Sequence, residues 1–197
     1  MEILRLLTSF AGLCLILSLT ACEKSLPQHN FSELRFDHLP VIKLDIAKIE
    51  IVEKYRSPLQ LPNVEHELPI APATIIRNWV NDRLRANGKN GIARFIILDA
   101  SVKVEALTKK NDITASFTID QSARYSAQLS AKLEVENAGG LNRGFATAIS
   151  SRQRTMPEAL SINERYKALN EFVKAAAIDF DKAMAQNIKK HLEPFLH

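Results

Sequence analysis

Three stretches of this 197-residue chain hold side chains whose types and spacing could do chemistry. The first is Leu19-Thr20-Ala21-Cys22, which closes an apolar run beginning near Ile3 and offers a thiol for covalent modification. The second is Glu65-His66-Glu67, where a histidine alternates with carboxylates. In an extended segment Glu65 and Glu67 would share a side while His66 faced away. A metal site needs more convergent ligands than that, so a solvated or partner-facing loop is expected. The third is the pair Arg152 and Arg154, which would share a strand face and could meet phosphate or carboxylate groups. A solvated strand end explains the two arginines more simply.

Enzyme chemistry finds little support. A nucleophile elbow is absent, and no Ser, His and Asp arrangement is recognisable. There is no H-E-x-x-H cluster for metal-assisted hydrolysis. The five histidines (His29, His38, His66, His191 and His197) fall in polar segments and at the chain end, poor places for a buried base. No catalytic residue, cofactor or metal is therefore expected. The composition, 46% hydrophobic and 24% charged, is that of an ordinary globular protein. A net charge of +4 without a long like-charge run or a basic stripe interleaved with aromatics reads as a solvated surface, not a nucleic-acid interface.

Small residues directly before a cysteine, at this distance from the start, resemble the lipobox of bacterial lipoproteins. The resemblance implies a signal peptide over 1–21, cut so that Cys22 becomes the first residue and carries acyl chains into a membrane. Cys14 is then discarded, and the remaining chain has no cysteine for a disulfide or a thiolate zinc site. The competing reading is an uncleaved anchor, because Ile3 to Ala21 is close to the spanning length of about 20 residues. Thr8, Ser9, Gly12 and Ser18 dilute that segment. Within the lipoprotein family an Asp after the cysteine commonly retains the protein at the inner membrane. Here the residue is Glu23, so the expected location is the periplasmic side of the outer membrane, with the inner membrane as the alternative.

The elements follow from hydrophobic periodicity. Residues 22–40 read as a tether, with Leu34, Phe36 and Leu39 placed to dock on a single domain over 41–197. Alternation from Val41 changes phase across Ala47-Lys48, predicting one strand over 41–53 with a bulge. A proline-rich loop spans 55–72. Pro72 opens a helix with Ile75, Ile76, Trp79, Val80 and Leu84 on its apolar stripe, stopped by a left-handed Asn87-Gly88. Ile92–Leu107 is a long strand with Ile96, Leu98, Ala100, Val102, Val104 and Ala106 on one face. Phe95 and Ile97 make its first half apolar on the other face too, so that half should be central and covered on both sides. A turn at 108–112 and a return strand over 113–119 should follow. Tyr125 to Val135 alternates cleanly, and after a turn at 137–140 Phe145, Thr147 and Ile149 continue as a strand. Ser161 and Glu164 form a capping box for a helix of roughly 30 residues. Such a helix is long enough to overhang its domain as a docking surface, or to lie across a wide sheet.

The expected fold is α+β: a two-layer sandwich of four to five mainly antiparallel strands with two helices on one face, ordered β-α-β-β-β(-β)-α. This order behind a lipobox resembles small envelope lipoproteins that assist larger machines. Two examples are the lipoprotein partner of the lipopolysaccharide-assembly barrel and the auxiliary lipoproteins of ABC-type lipid transporters. The resemblance implies a non-enzymatic accessory that binds an envelope protein partner. A lipid carrier with a cavity lined by Ala100, Ala106, Ala127 and Ala131 is the alternative, and a tethered hydrolase the remaining one.

Overall fold

The computed structural model describes residues 31–107, 122–137, 139 and 142–197. The chain runs β1 (Ile42–Leu44), β2 (Lys48–Glu53), a 3-10 turn at Glu65–Glu67, α1 (Pro72–Arg83) and β3 (Leu84–Ala86). It continues through β4 (Ile92–Leu107), β5 (Ser122–Glu136), β6 (Arg143–Pro157) and α2 (Ile162–His191), and closes on a 3-10 turn at Glu193–Phe195. One sheet has the order β2-β4-β5-β6, with β2 parallel to β4 and the other pairings antiparallel. β1 and β3 form a separate parallel pair. The fold is thus α+β, with helices packed on one face of a mixed, mostly antiparallel sheet.

The single bulged strand expected over 41–53 is instead two strands in two sheets. The reason lies in where the backbone groups between them go. Asp45 donates its N–H to the Phe195 carbonyl at 2.8 Å, and Ala47 donates to Asn90 at 3.0 Å. Asn87 and Gly88 donate to Leu44 and Ile46 at 2.9 and 3.0 Å. A Cβ on Gly88 would lie 2.6 Å from the Asp45 and Ile46 backbone, so the glycine permits close approach and is not the left-handed stop expected. Among the described residues, the left-handed glycines are Gly91 and Gly139.

α1 begins as the sequence predicts, with Pro72 in the first turn, but ends at Arg83 because Leu84 enters β3. Its stripe of Ile75, Ile76, Trp79 and Val80 is buried. The Trp79 ring lies 5.5 Å from Phe95 and meets Phe180 edge-on at 5.7 Å, which joins both helices to the sheet. Burial of side chains of this size stabilises by about 1.5–3 kcal/mol each. Trp79, Phe95, Phe180, Leu129, Leu133 and Met184 fill the layer between helices and sheet.

β4 has the predicted span, and Phe95, Ile96 and Ile97 are buried on both faces of its first half, as expected. Ala93, Phe95 and Ile97 point into the core; a bulge between Ile97 and Asp99 shifts the alternation, and Ala100 and Val102 take over. Leu98 is exposed as a result. β5 buries Tyr125, Ala127, Leu129, Ala131, Leu133 and Val135 as expected. It pairs directly with β4, Leu107 opposite Ser122, so the two are neighbours in the sheet. The turn at 108–112 and the return strand at 113–119 fall outside the described residues, as do Ala138 and Gly140 of the next turn. In β6 the core side is Ala146, Ala148, Ser150 and Met156, while Phe145 and Ile149 face solvent.

The long helix α2 has 30 residues, and both halves of its capping box form. That length is about 45 Å. From Leu169 to Ile188 its apolar stripe is buried, and it lies close enough to β6 for the Ala176 carbonyl to accept from Ser150 Oγ at 2.8 Å. Ile162 at its start is 70% exposed. Of the segment before β1, Phe36 is buried and Leu34 and Leu39 are half-buried against the core. Asp82 holds this segment down: it accepts the Phe36 N–H at 2.8 Å and Arg35 Nε at 2.9 Å.

Candidate functional site

A cleft with a buried carboxylate beneath it is built where β2 leaves the sheet. Lys54 and Tyr55 both donate to the Ile97 carbonyl at the β4 bulge, at 3.0 and 3.3 Å. The proline-rich loop then swings out and returns alongside the second half of β4. There Val64 donates to Val102 and Val104 donates to Pro62, each at 2.8 Å, and Asn63 bridges Lys103. The 3-10 turn that follows sends Glu65 inward, 3% exposed, and leaves His66 and Glu67 outside. This corrects the extended, solvated Glu65-His66-Glu67 expected from sequence. An extended segment would have paired the two carboxylates, whereas the tight turn separates them.

The Glu65 carboxylate accepts from Tyr55 Oη at 2.5 Å, from the Val102 N–H at 3.1 Å and from Asn63 Nδ2 at 3.3 Å. Over this network opens a cleft of about 530 Å³, rimmed by Glu53, Arg56, Leu59, His66 and Arg77. Arg77 lies 3.5 Å from Glu53 and donates to Thr74 Oγ1 at 2.9 Å. Leu59 sits at the mouth with φ of 57°, a left-handed backbone rare for a branched residue.

Electrostatics decide what this cleft can do. Burial pushes the Tyr55 hydroxyl up, and its bond to Glu65 and that residue's charge push it further. For Glu65, burial alone would raise the carboxyl, but hydrogen bonds from Ser57, Tyr55 and the main chain outweigh it and hold the group below its ordinary value. A general acid or base working near neutrality needs the opposite displacements. The pair is suited to fixing the loop, not to moving protons.

Other residues singled out in the sequence lie apart. Arg152 Nε donates to Asp179 of α2 at 2.5 Å, while Arg154, two residues on, has no such partner among the described residues. His197 lies 3.2 Å from Asp45, and His38 and His191 are exposed. His29 and the Leu19–Cys22 stretch fall outside the described residues. Among the described residues no three His, Cys, Asp or Glu side chains group closely enough to hold a metal ion.

One buried network escaped the sequence reading. Asp181 of α2 accepts from Trp79 Nε1 at 2.7 Å and from Arg83 Nε at 2.9 Å. Its signal was present: Asp181 interrupts the apolar stripe between Ala177 and Met184, which a carboxylate does only with a buried donor opposite. The Tyr55–Glu65 network had no such signal.

No protein-family model and no curated protein matches the chain. Among solved structures, its fold resembles that of a minor lipoprotein from Acinetobacter baumannii. The TM-score is 0.39 and the identity 11%, over 71% of this chain and 91% of that one.

Proposed function

We propose that this chain is a membrane-anchored envelope lipoprotein, held through acyl chains on Cys22, whose domain is a non-enzymatic accessory that binds a protein partner in envelope assembly or lipid transport. The observation that carries the anchoring is Leu19-Thr20-Ala21-Cys22 at the end of an apolar run. The periplasmic face of the outer membrane is its site, because Glu23 stands where an Asp would signal retention at the inner membrane. Two features favour an accessory over an enzyme. The Tyr55–Glu65 network beneath its cleft has its acid and base displaced away from neutrality. The layer where a carrier would hold lipid is occupied by Trp79, Phe95, Phe180 and Met184.

The test is mass spectrometry of the N-terminal peptide from envelopes, together with gradient fractionation. The intact protein should yield a peptide beginning at an acylated Cys22 and sediment with outer membranes. Cys22→Ser should lose the acyl mass and leave the membrane fraction. Recovery of an uncleaved N-terminus, or of Cys22→Ser still in membranes, would overturn the anchoring.

A further inference from the structure

The outer edge of β6 is the surface from which an inference can be drawn, and its hydrogen-bonding phase is fixed twice. Asn137 donates its N–H to the Asn142 carbonyl at 3.1 Å, so the even-numbered residues of this arm face β5. Asn187 of α2 donates to the Thr147 carbonyl at 2.7 Å, from the other side. Because backbone groups alternate along an antiparallel strand, Ile149, Ser151, Gln153 and Thr155 direct both N–H and C=O away from β5. None of these has a partner among the described residues. From Ser151 to Thr155 every residue is exposed, and Ile149 is 66% exposed.

Charge selects the occupant. The edge reads Ile149-Ser150-Ser151-Arg152-Gln153-Arg154-Thr155, with two arginines and no acid. Asp179 offsets one of them and also feels Lys182, so positive charge is left over along this edge. A second copy of β6 would bring the same arginines to the seam, which like charges disfavour. An extended acidic segment would meet both the open ladder and the charge.

We propose that β6 accepts, by strand addition along Ile149–Thr155, an extended segment of a partner protein that carries Asp or Glu on its helix-side positions. This rests on the partner-binding reading above and gives that partner a chemistry. It does not depend on Cys22, so the two can fail separately.

The probe is a fluorescein-labelled peptide, Thr-Val-Glu-Val-Glu-Val-Thr, titrated against the purified full chain in detergent. Expected are saturable binding and slowed hydrogen exchange at the amides of Ile149, Ser151, Gln153 and Thr155. Replacing both Glu by Lys should weaken binding about tenfold, and so should N-methylation of alternate peptide amides. Gln153→Pro removes one outward N–H without touching the β5 ladder, and should cut binding at least tenfold with an unchanged circular dichroism spectrum. Arg154→Glu gives a second variant outside any packing. Absence of saturable binding overturns the proposal, as does binding indifferent to Gln153→Pro and Arg154→Glu. Self-association of the chain abolished by Gln153→Pro would assign the edge to a second copy and overturn it as well.

Discussion

The two long edges of this sheet are treated in opposite ways. Beyond the bulge, β4 loses β2 as its neighbour, and the chain replaces it with the Pro62–Glu65 return, a carboxylate and a tyrosine. Among the described residues, β6 at the other side has one side-chain cap at Thr147 and then runs bare through Thr155. Exposed ladder groups invite pairing with another chain, which is why edges are commonly covered. The difference separates an edge sealed by the fold from an edge left open beside surplus arginines. The same substitution should therefore have unequal consequences on the two sides.

The largest effect should come from removing the seal. Glu65→Ala strands the buried Val102 N–H and takes the acceptor from the half-buried Tyr55 hydroxyl, and each such unsatisfied group costs about 1–3 kcal/mol. Together they should cost about 3–4 kcal/mol, read from urea unfolding as a lower midpoint at constant slope. A loss under about 1 kcal/mol would mean that the loop backbone, not the carboxylate, closes this edge. Next comes one substitution placed on both edges. Val104→Pro removes the N–H that bonds Pro62 and sets a ring against that carbonyl, costing about 2–3 kcal/mol. Gln153→Pro removes an N–H without a partner and should cost no more than about 1 kcal/mol. Equal losses would abolish the contrast.

How much of this was legible in the sequence follows the range of the interaction. α2 and its capping box, the span of β4 and the alternation of β5 are periodic and local, and they read directly from Ser161, Glu164 and the Tyr125–Val135 pattern. The division of 41–53 into two sheets was not legible, because it depends on Asp45 meeting Phe195, about 150 residues away in sequence. The exposure of Leu98 was not legible either, because the bulge between Ile97 and Asp99 lies inside a continuous apolar run. The burial of Glu65 was not legible, because nothing local distinguishes a turn that buries a carboxylate from a loop that exposes it. Asp82, off the apolar stripe of α1, carries no local sign of burial either, although Arg35, 47 residues earlier, makes it a buried anchor.

Acid should act on the sealed edge before the open one. The folded Glu65 carboxyl lies below its ordinary value of 4.5, so its contribution is fully present above that pH and is lost as pH falls through the folded value. Asp82, lowered chiefly by the bond from Arg35, acts in the same direction from 3.8 downward. Stability should therefore decline as pH drops below about 4.5, and Glu65→Gln should flatten the first part of that decline. An unchanged slope in Glu65→Gln would place the acid sensitivity elsewhere.

The smallest stability effect belongs to Arg152, and it is the one that tests what the open edge is for. Its pair with Asp179 is short, but the two side chains are 44% and 40% exposed, and such pairs contribute little once water and salt screen them. Arg152→Ala should leave the urea midpoint where it is, at low and at high salt. If the surplus charge on β6 serves recognition, the same variant should weaken the acidic peptide at low salt, and the difference from wild type should shrink as ionic strength rises. A variant that unfolds more easily yet binds the peptide normally would invert the contrast, making β6 a sealed structural edge and Arg152 one of its supports.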